Sequence, residues 1–179
     1  MNNSTSLPAW SLRPARPDDI EAIVELRAVV MRPDLQRLGR YDPHRVRQRF
    51  RDSFVPGPTS VVEADGAFAG CVTLRSDGDR LLLEHFYLAP GLQGRGLGSA
   101  VLRGLLDRAD ADDRAVRLNV LTGSPARRLY ERHGFVVESQ DPVDVFMIRT
   151  PRSLSAPPPP DGSFRGDPTD RSERIRSIR

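Results

Sequence analysis

An almost wholly apolar strand, Leu81-Leu82-Leu83-Glu84-His85-Phe86-Tyr87-Leu88, stops at Pro90 and is followed by Gln93-Gly94-Arg95-Gly96-Leu97-Gly98-Ser99, out of which a helix grows. No other stretch constrains the chain as strongly. Glycines at 91, 94, 96 and 98 lack a Cβ, so the backbone there can come close to a ligand. The first N–H groups of the helix, which have no partner one turn earlier, then point at whatever anion rests against them. A pyrophosphate suits such a place. The bland reading of the same glycines is a tight structural turn.

The surroundings decide which glycine-rich fold this is. Three strands, Thr59 to Ala64, Ala67 to Leu74 and Arg80 to Leu88, are separated by Asp65-Gly66 and by Ser76-Asp77-Gly78-Asp79, which predicts an antiparallel meander. A dinucleotide fold needs a parallel strand–helix–strand unit with an acidic residue about 20 positions on; the position near Arg117 is basic. Upstream lie a short strand at Trp10 to Arg13 and a helix opened by Arg16-Pro17-Asp18-Asp19. Proline there suits the first turn, and the carboxylates suit the positive helix end. That helix runs through Ile20, Ile23, Val24 and Arg27 to Val30 and Met31, and a second carries Val46, Phe50 and Phe54 as its apolar stripe. Downstream, Leu97, Val101, Leu102, Leu105, Leu106 and Ala109 mark a helix, and Val116 to Val120 a strand. Ser124-Pro125 opens a helix ending at Gly134, and Phe135 to Glu138 and Val145 to Arg149 are closing strands. The expected class is α/β (α+β): a mixed, mostly antiparallel central sheet flanked by helices.

Composition removes several chemistries. All 27 basic residues are arginine, so a P-loop or a pyridoxal Schiff base, each of which needs a lysine, is excluded. The formal charge of +3, with 24 acidic residues interspersed, gives no nucleic-acid-binding field. The single cysteine, Cys71, allows no intramolecular disulfide and reads as a buried small hydrophobe; with no signal-peptide pattern, the expected setting is the reducing cytoplasm. No apolar run approaches the roughly 18 residues of a membrane span. The three histidines have no ligand spacing, so no metal is expected. The 179 residues fit one domain, divided here into a flexible start (1–8), a folded domain (9–150) and a disordered Pro/Arg-rich tail (151–179).

Two motifs carry a family resemblance. Gln93, Gly96 and Gly98 fit the pattern Gln/Arg-x-x-Gly-x-Gly/Ala, and Ala126, Leu129, Tyr130, Gly134 and Phe135 fit Ala-x-x-Leu-Tyr-x-x-x-Gly-Phe. With Leu12-Arg13-Pro14-Ala15 and Asp19 as a matching start, residues 10 to 150 resemble the GNAT superfamily of acetyl-CoA-dependent N-acetyltransferases. The resemblance implies a sheet splayed between its fourth and fifth strands, with acetyl-CoA as co-substrate in the opening. Many relatives carry an asparagine before the last helix where this chain has Gly123-Ser124; Ser124 can still cap the helix, and Asn119, on the preceding strand, is assigned no role.

The resemblance also implies roles. Leu88, Gln93, Gly94, Arg95, Gly96, Gly98, Ser99 and Ala126 would contact the cofactor, its pyrophosphate on the amides of residues 94–99. An amine with a solution pKa near ~10.4 must lose a proton before attacking the thioester. Glu84, four residues before Leu88 and on the same face of a regular strand, is the first candidate base, directly or through water; His85 is the second, should a bulge turn it into the cleft. The Leu88 N–H would stabilise the tetrahedral oxyanion, and Tyr130 would protonate the departing thiolate. The acceptor, a primary amine of a small molecule or peptide, would be shaped by the arginine-rich stretch Met31 to Phe54, which could favour a carboxylate or phosphate or be a solvated helical face. No nucleic acid or membrane partner is expected, and the protein would be a monomer or homodimer. A longer acyl-CoA as donor and a non-catalytic acyl-CoA sensor are the alternatives.

Overall fold

The computed structural model describes residues 7–152. The expected flexible start and Pro/Arg-rich tail therefore lie outside the described residues, apart from Leu7, Pro8, Pro151 and Arg152.

The chain opens with β1 (Trp10–Pro14), then a 3-10 turn at Pro17–Asp19 that leads into α1 (Ile20–Arg37), and α2 (Pro43–Ser53) follows. Arg13 fastens this start. Its guanidinium bonds Asp19 through two contacts of 2.7 Å and Glu63 through one of 2.7 Å, and Asp19 is held down at about 2, first by Arg13. Helix α1 runs past the expected end at Met31 and continues through Pro33. The N–H that proline lacks would have donated to the carbonyl of Val29, a residue 55% exposed, where water can serve instead.

Hairpins at Asp65-Gly66 and Gly78-Asp79 join β2 (Thr59–Ala64), β3 (Ala67–Asp77) and β4 (Arg80–Leu88) into the expected meander. After the glycine loop come α3 (Leu97–Ala111), β5 (Val116–Leu121), α4 (Ala126–Arg132), β6 (Val136–Gln140) and β7 (Asp144–Arg149). The seven strands form one sheet in the order β1-β2-β3-β4-β5-β7-β6. Every neighbouring pair is antiparallel except β4 and β5, which run parallel and pair only through Leu81–Val116 and Leu82–Arg117. Beyond those pairs the two strands diverge, so the splay lies where expected.

Each face of the sheet carries its own core. On one side α3 buries Leu97, Val101, Leu102, Leu105, Leu106 and Ala109 against Val72, Leu83, Leu88, Leu118 and Met147. On the other, α1 and α2 bury Ile23, Val24 and Phe50 against Val61 and Cys71. A buried ion pair closes the end of α3: Arg149, 4% exposed, grips both oxygens of Asp110 at 2.8 and 2.7 Å. Among the described residues, no helix is long and apolar enough to cross a membrane.

Candidate active site

The loop between β4 and α3 is wound by two left-handed glycines. Gly94 has φ +71° and Gly96, the residue that caps α3, has φ +88°, a conformation other residues adopt only with strain. The first intrahelical bond runs from Ala100 N to Gly96 O at 3.0 Å, so the amides of Leu97, Gly98 and Ser99 stand ahead of the hydrogen-bonded ladder. Among the described residues nothing accepts a hydrogen bond from any amide of residues 94–99. These N–H groups gather at the positive end of a 15-residue helix, which is the electrostatics an oxyanion group requires.

Gly98 lies where α3 meets the end of β4 and α4: a Cβ there would be in ordinary contact with Leu88 Cδ1 at 3.4 Å and Leu129 Cδ2 at 3.6 Å. Gln93 is turned the other way: its side-chain Nε2 donates to the carbonyl of Leu88 at 2.8 Å, tying the strand end to the loop. Arg95 is exposed in the loop, Ser99 is half-buried in the first turn of α3, and half-buried Ala126 packs on the core at the start of α4. Ser124 Oγ accepts from Ala126 N at 3.4 Å, a long contact for a helix cap. Asn119 faces the far side of the sheet, where its Nδ2 donates to Asp144 at 2.9 Å.

Tyr130, 7% exposed, lies in the α3-side core, edge-on to Phe135 with ring centroids 5.7 Å apart. Its hydroxyl bonds to no described residue. Burial raises its pKa well above the ordinary phenol value, so it holds its proton across the whole neutral range.

Strand β4 departs from the regular alternation expected of it. Cys71 on β3 faces Tyr87 while Thr73 faces Glu84, so Val72 alone stands opposite both His85 and Phe86. This is a bulge, and His85 takes φ +51° within it. The face assignment made from spacing is corrected by one residue: Leu83 and Leu88 both enter the α3-side core, so Glu84 and Leu88 point to opposite faces. His85 shares the α1 side with Tyr87, its ring edge-on to Phe50 at 4.9 Å. Glu84 is engaged by Arg75, whose Nε lies 2.7 Å from its Oε2. The bulge therefore presents both candidate bases to the same side.

Sequence reasoning passed over two residues here. Gly70, paired with Leu88 just past the bulge, is required because a Cβ would collide with the Tyr87 carbonyl oxygen; a glycine in mid-strand was the available signal. Arg27 sits on the apolar stripe of α1 between Ile23, Val24 and Ala28, and is 8% exposed. A charged residue at a core-facing helical position was its signal. Its Nε donates to Tyr87 Oη at 3.1 Å and its Nη1 to the Val46 carbonyl at 2.5 Å; Tyr87 Oη also lies 3.3 Å from His85 Nδ1 and 3.5 Å from Met31 Sδ. Burial, reinforced by Arg27, lowers the His85 pKa and keeps the imidazole neutral near pH 7.

A parallel splay between β4 and β5, a glycine-wound helix start beside it and a buried tyrosine on α4 together define a class of acyl-transfer fold. The model of the acetyltransferase (GNAT) family matches residues 20–135, and the chain belongs to that family. Among solved structures, PaiA N-acetyltransferase from Thermoplasma acidophilum, in complex with coenzyme A, is 18% identical with a TM-score of 0.66, covering 79% of this chain and 99% of that one. Ard1 from Thermoplasma volcanium is 21% identical with a TM-score of 0.60, covering 81% and 99%. The ribosomal-protein-S18-alanine N-acetyltransferase from Escherichia coli is 18% identical with a TM-score of 0.60, covering 83% and 97%. At these identities the likeness is one of fold. No curated protein shows significant sequence similarity to the chain.

Proposed function

We propose that the protein transfers an acetyl group from acetyl-CoA to a primary amine. The observation that carries this reading is the set of unengaged amides at residues 94–99 at the start of α3, beside the opening between β4 and β5. That arrangement fits the diphosphate of coenzyme A, and the coenzyme A bound to the Thermoplasma acidophilum relative supports the same ligand class. Acetyl-CoA supplies an activated acyl carbon; this chain's residues hold it and move the protons.

In this reading the amides of Gly94 to Ser99 grip the diphosphate, with Arg95 adding charge outside the cradle and Gln93 fixing the Leu88 strand end from which it starts. The Leu88 N–H donates to the thioester carbonyl oxygen as charge develops there. The attacking amine gives up its proton to Glu84 or, through the bulge, to neutral His85. A new C–N bond forms, the C–S bond breaks, and Tyr130, still protonated because it is buried, hands its proton to the thiolate. The phenol stays loaded at neutral pH because its own pKa lies above the ordinary ~10. A chain whose single thiol, Cys71, is buried suits a reducing cytoplasm.

The test is release of the coenzyme A thiol from acetyl-CoA across an amine panel, repeated with propionyl-CoA and longer donors. The reading predicts turnover with acetyl-CoA that depends on the amine and falls with acyl length. Tight coenzyme A binding without turnover on any amine would make the protein a sensor.

A further inference from the structure

Two arginines are buried among the described residues, and they are provided for differently. Arg149 has both oxygens of Asp110. Arg27 has no carboxylate: its two hydrogen bonds go to a phenol oxygen and a backbone carbonyl, both neutral. Its Nη2 donates to no described residue, and it is not sealed away either, since among the described residues the one buried side-chain nitrogen left without a partner is Arg117 Nε. A guanidinium removed from water without a counter-charge is costly, and a neutral amide side chain could serve two neutral acceptors at less cost.

Every charge that faces Arg27 is accounted for elsewhere. On α1, Glu21 and Glu25 point outward and are taken by Arg51 and Arg47 of α2. On β4, Glu84 is taken by Arg75, and His85 and Tyr87 are neutral. What remains is one uncompensated positive charge beside the β4 bulge, on the face of the sheet opposite α3. The far end of α1 reaches the other wall of the splay, where a Cβ on Gly123 would lie 2.7 Å from Arg37 Nη1. Helix α1 thus spans the side of the opening that the α3 cradle leaves to a second substrate.

We propose that the amine acceptor carries a carboxylate and that Arg27 is the specificity-determining residue that receives it, which makes the acceptor a free amino acid or a similarly small amino-carboxylate. The inference rests on the acetyl-transfer reading above. A single guanidinium, 8% exposed, accommodates a compact anion close to its amine, and not a peptide whose carboxylate lies far from its N-terminus. Of the neighbouring arginines, Arg47 and Arg51 are paired on the outer face, and Arg32 lies over the Tyr41 ring.

The test compares L-amino acids with their own carboxamides as acceptors at saturating acetyl-CoA. The carboxamide amine is the less basic, hence the more available as free base at neutral pH, so any preference for the acid must come from recognition. Wild-type protein should favour the acid by about 10- to 100-fold in kcat/KM, mostly through KM. Arg27→Gln should bring that ratio to about 1 while coenzyme A affinity holds, and Arg27→Lys should restore part of it. Equal use of both acceptors by the wild type, or an unchanged ratio in Arg27→Gln, overturns the proposal. If Arg27→Gln fails to fold, the wild-type ratio and Arg27→Lys decide. If neither acceptor is turned over, the acetyl-transfer reading is judged on the wider amine panel, and calorimetry on the coenzyme A-loaded protein decides this one: heat with the amino acid and none with its carboxamide supports it, and no heat with either overturns it.

Discussion

Replacing Tyr130 by Phe removes one oxygen from a side chain 7% exposed, whose ring packs on Phe135 and whose hydroxyl bonds to no described residue. A hydroxyl taken from water without a partner costs about 1–3 kcal/mol, so its loss should leave the fold unchanged or up to about 1 kcal/mol more stable. A proton donor in the transition state is worth 10²–10⁴ in rate, or about 3–5.5 kcal/mol of barrier at 1.36 kcal/mol per tenfold. Stability and activity should therefore move in opposite directions. Urea denaturation and coenzyme A release, measured on the same preparation, read both. The phenol also has a pH signature. Its folded pKa lies above the ordinary ~10, so its contribution to stability is complete below pH ~10 and is lost as the pH rises through the folded value. Wild type should lose stability in alkali that Tyr130→Phe keeps. A variant that retains full turnover removes Tyr130 from the chemistry; one that loses 2 kcal/mol of stability along with its activity makes the hydroxyl structural.

Asp110→Asn should destabilise the protein by about 3–5 kcal/mol at pH 7, because it leaves the Arg149 guanidinium buried without its partner. Arg149, then the Arg152 amide, hold the Asp110 pKa below its usual value, so this stability is present above pH ~4 and lost as the pH falls through the lower folded value. The gap between wild type and variant in chemical denaturation should close in acid; a gap independent of pH would contradict the pairing. Burial raises the Cys71 thiol to about 12 and its Sγ donates to the His85 carbonyl at 3.2 Å, so native protein should resist iodoacetamide at pH 8 by intact mass. Rapid alkylation would show that β3 and β4 open.

Local signals carried most of the architecture. Asp65-Gly66 and Gly78-Asp79 placed the hairpins, the six apolar positions of α3 are the six it buries, and the glycine loop stands between β4 and α3 as read. What local pattern could not carry was the parity of β4. The bulge sits opposite Val72 of the neighbouring strand and takes a left-handed His85, neither of which announces itself within Leu81 to Leu88. Strand order was equally non-local, since β7 inserts between β5 and β6 by tertiary pairing alone. Proline normally ends a helix, yet Pro33 is passed at the exposed side of α1. The arginine-rich stretch from Met31 to Phe54 proved largely an outer face that clips α2 to α1 through Arg47 and Arg51, while the inward-facing cation, Arg27, lay before it in a stripe that reads as apolar.

The central claim is that backbone amides at residues 94–99 hold the diphosphate of coenzyme A. Amide NMR spectra of the 15N-labelled protein, titrated with coenzyme A and separately with pantetheine, test it directly. The account predicts large shifts at Gly94, Gly96, Gly98 and Ser99 with coenzyme A and none at these positions with pantetheine, which lacks the diphosphate. Coenzyme A leaving these amides unmoved, or moving a different set, would contradict it.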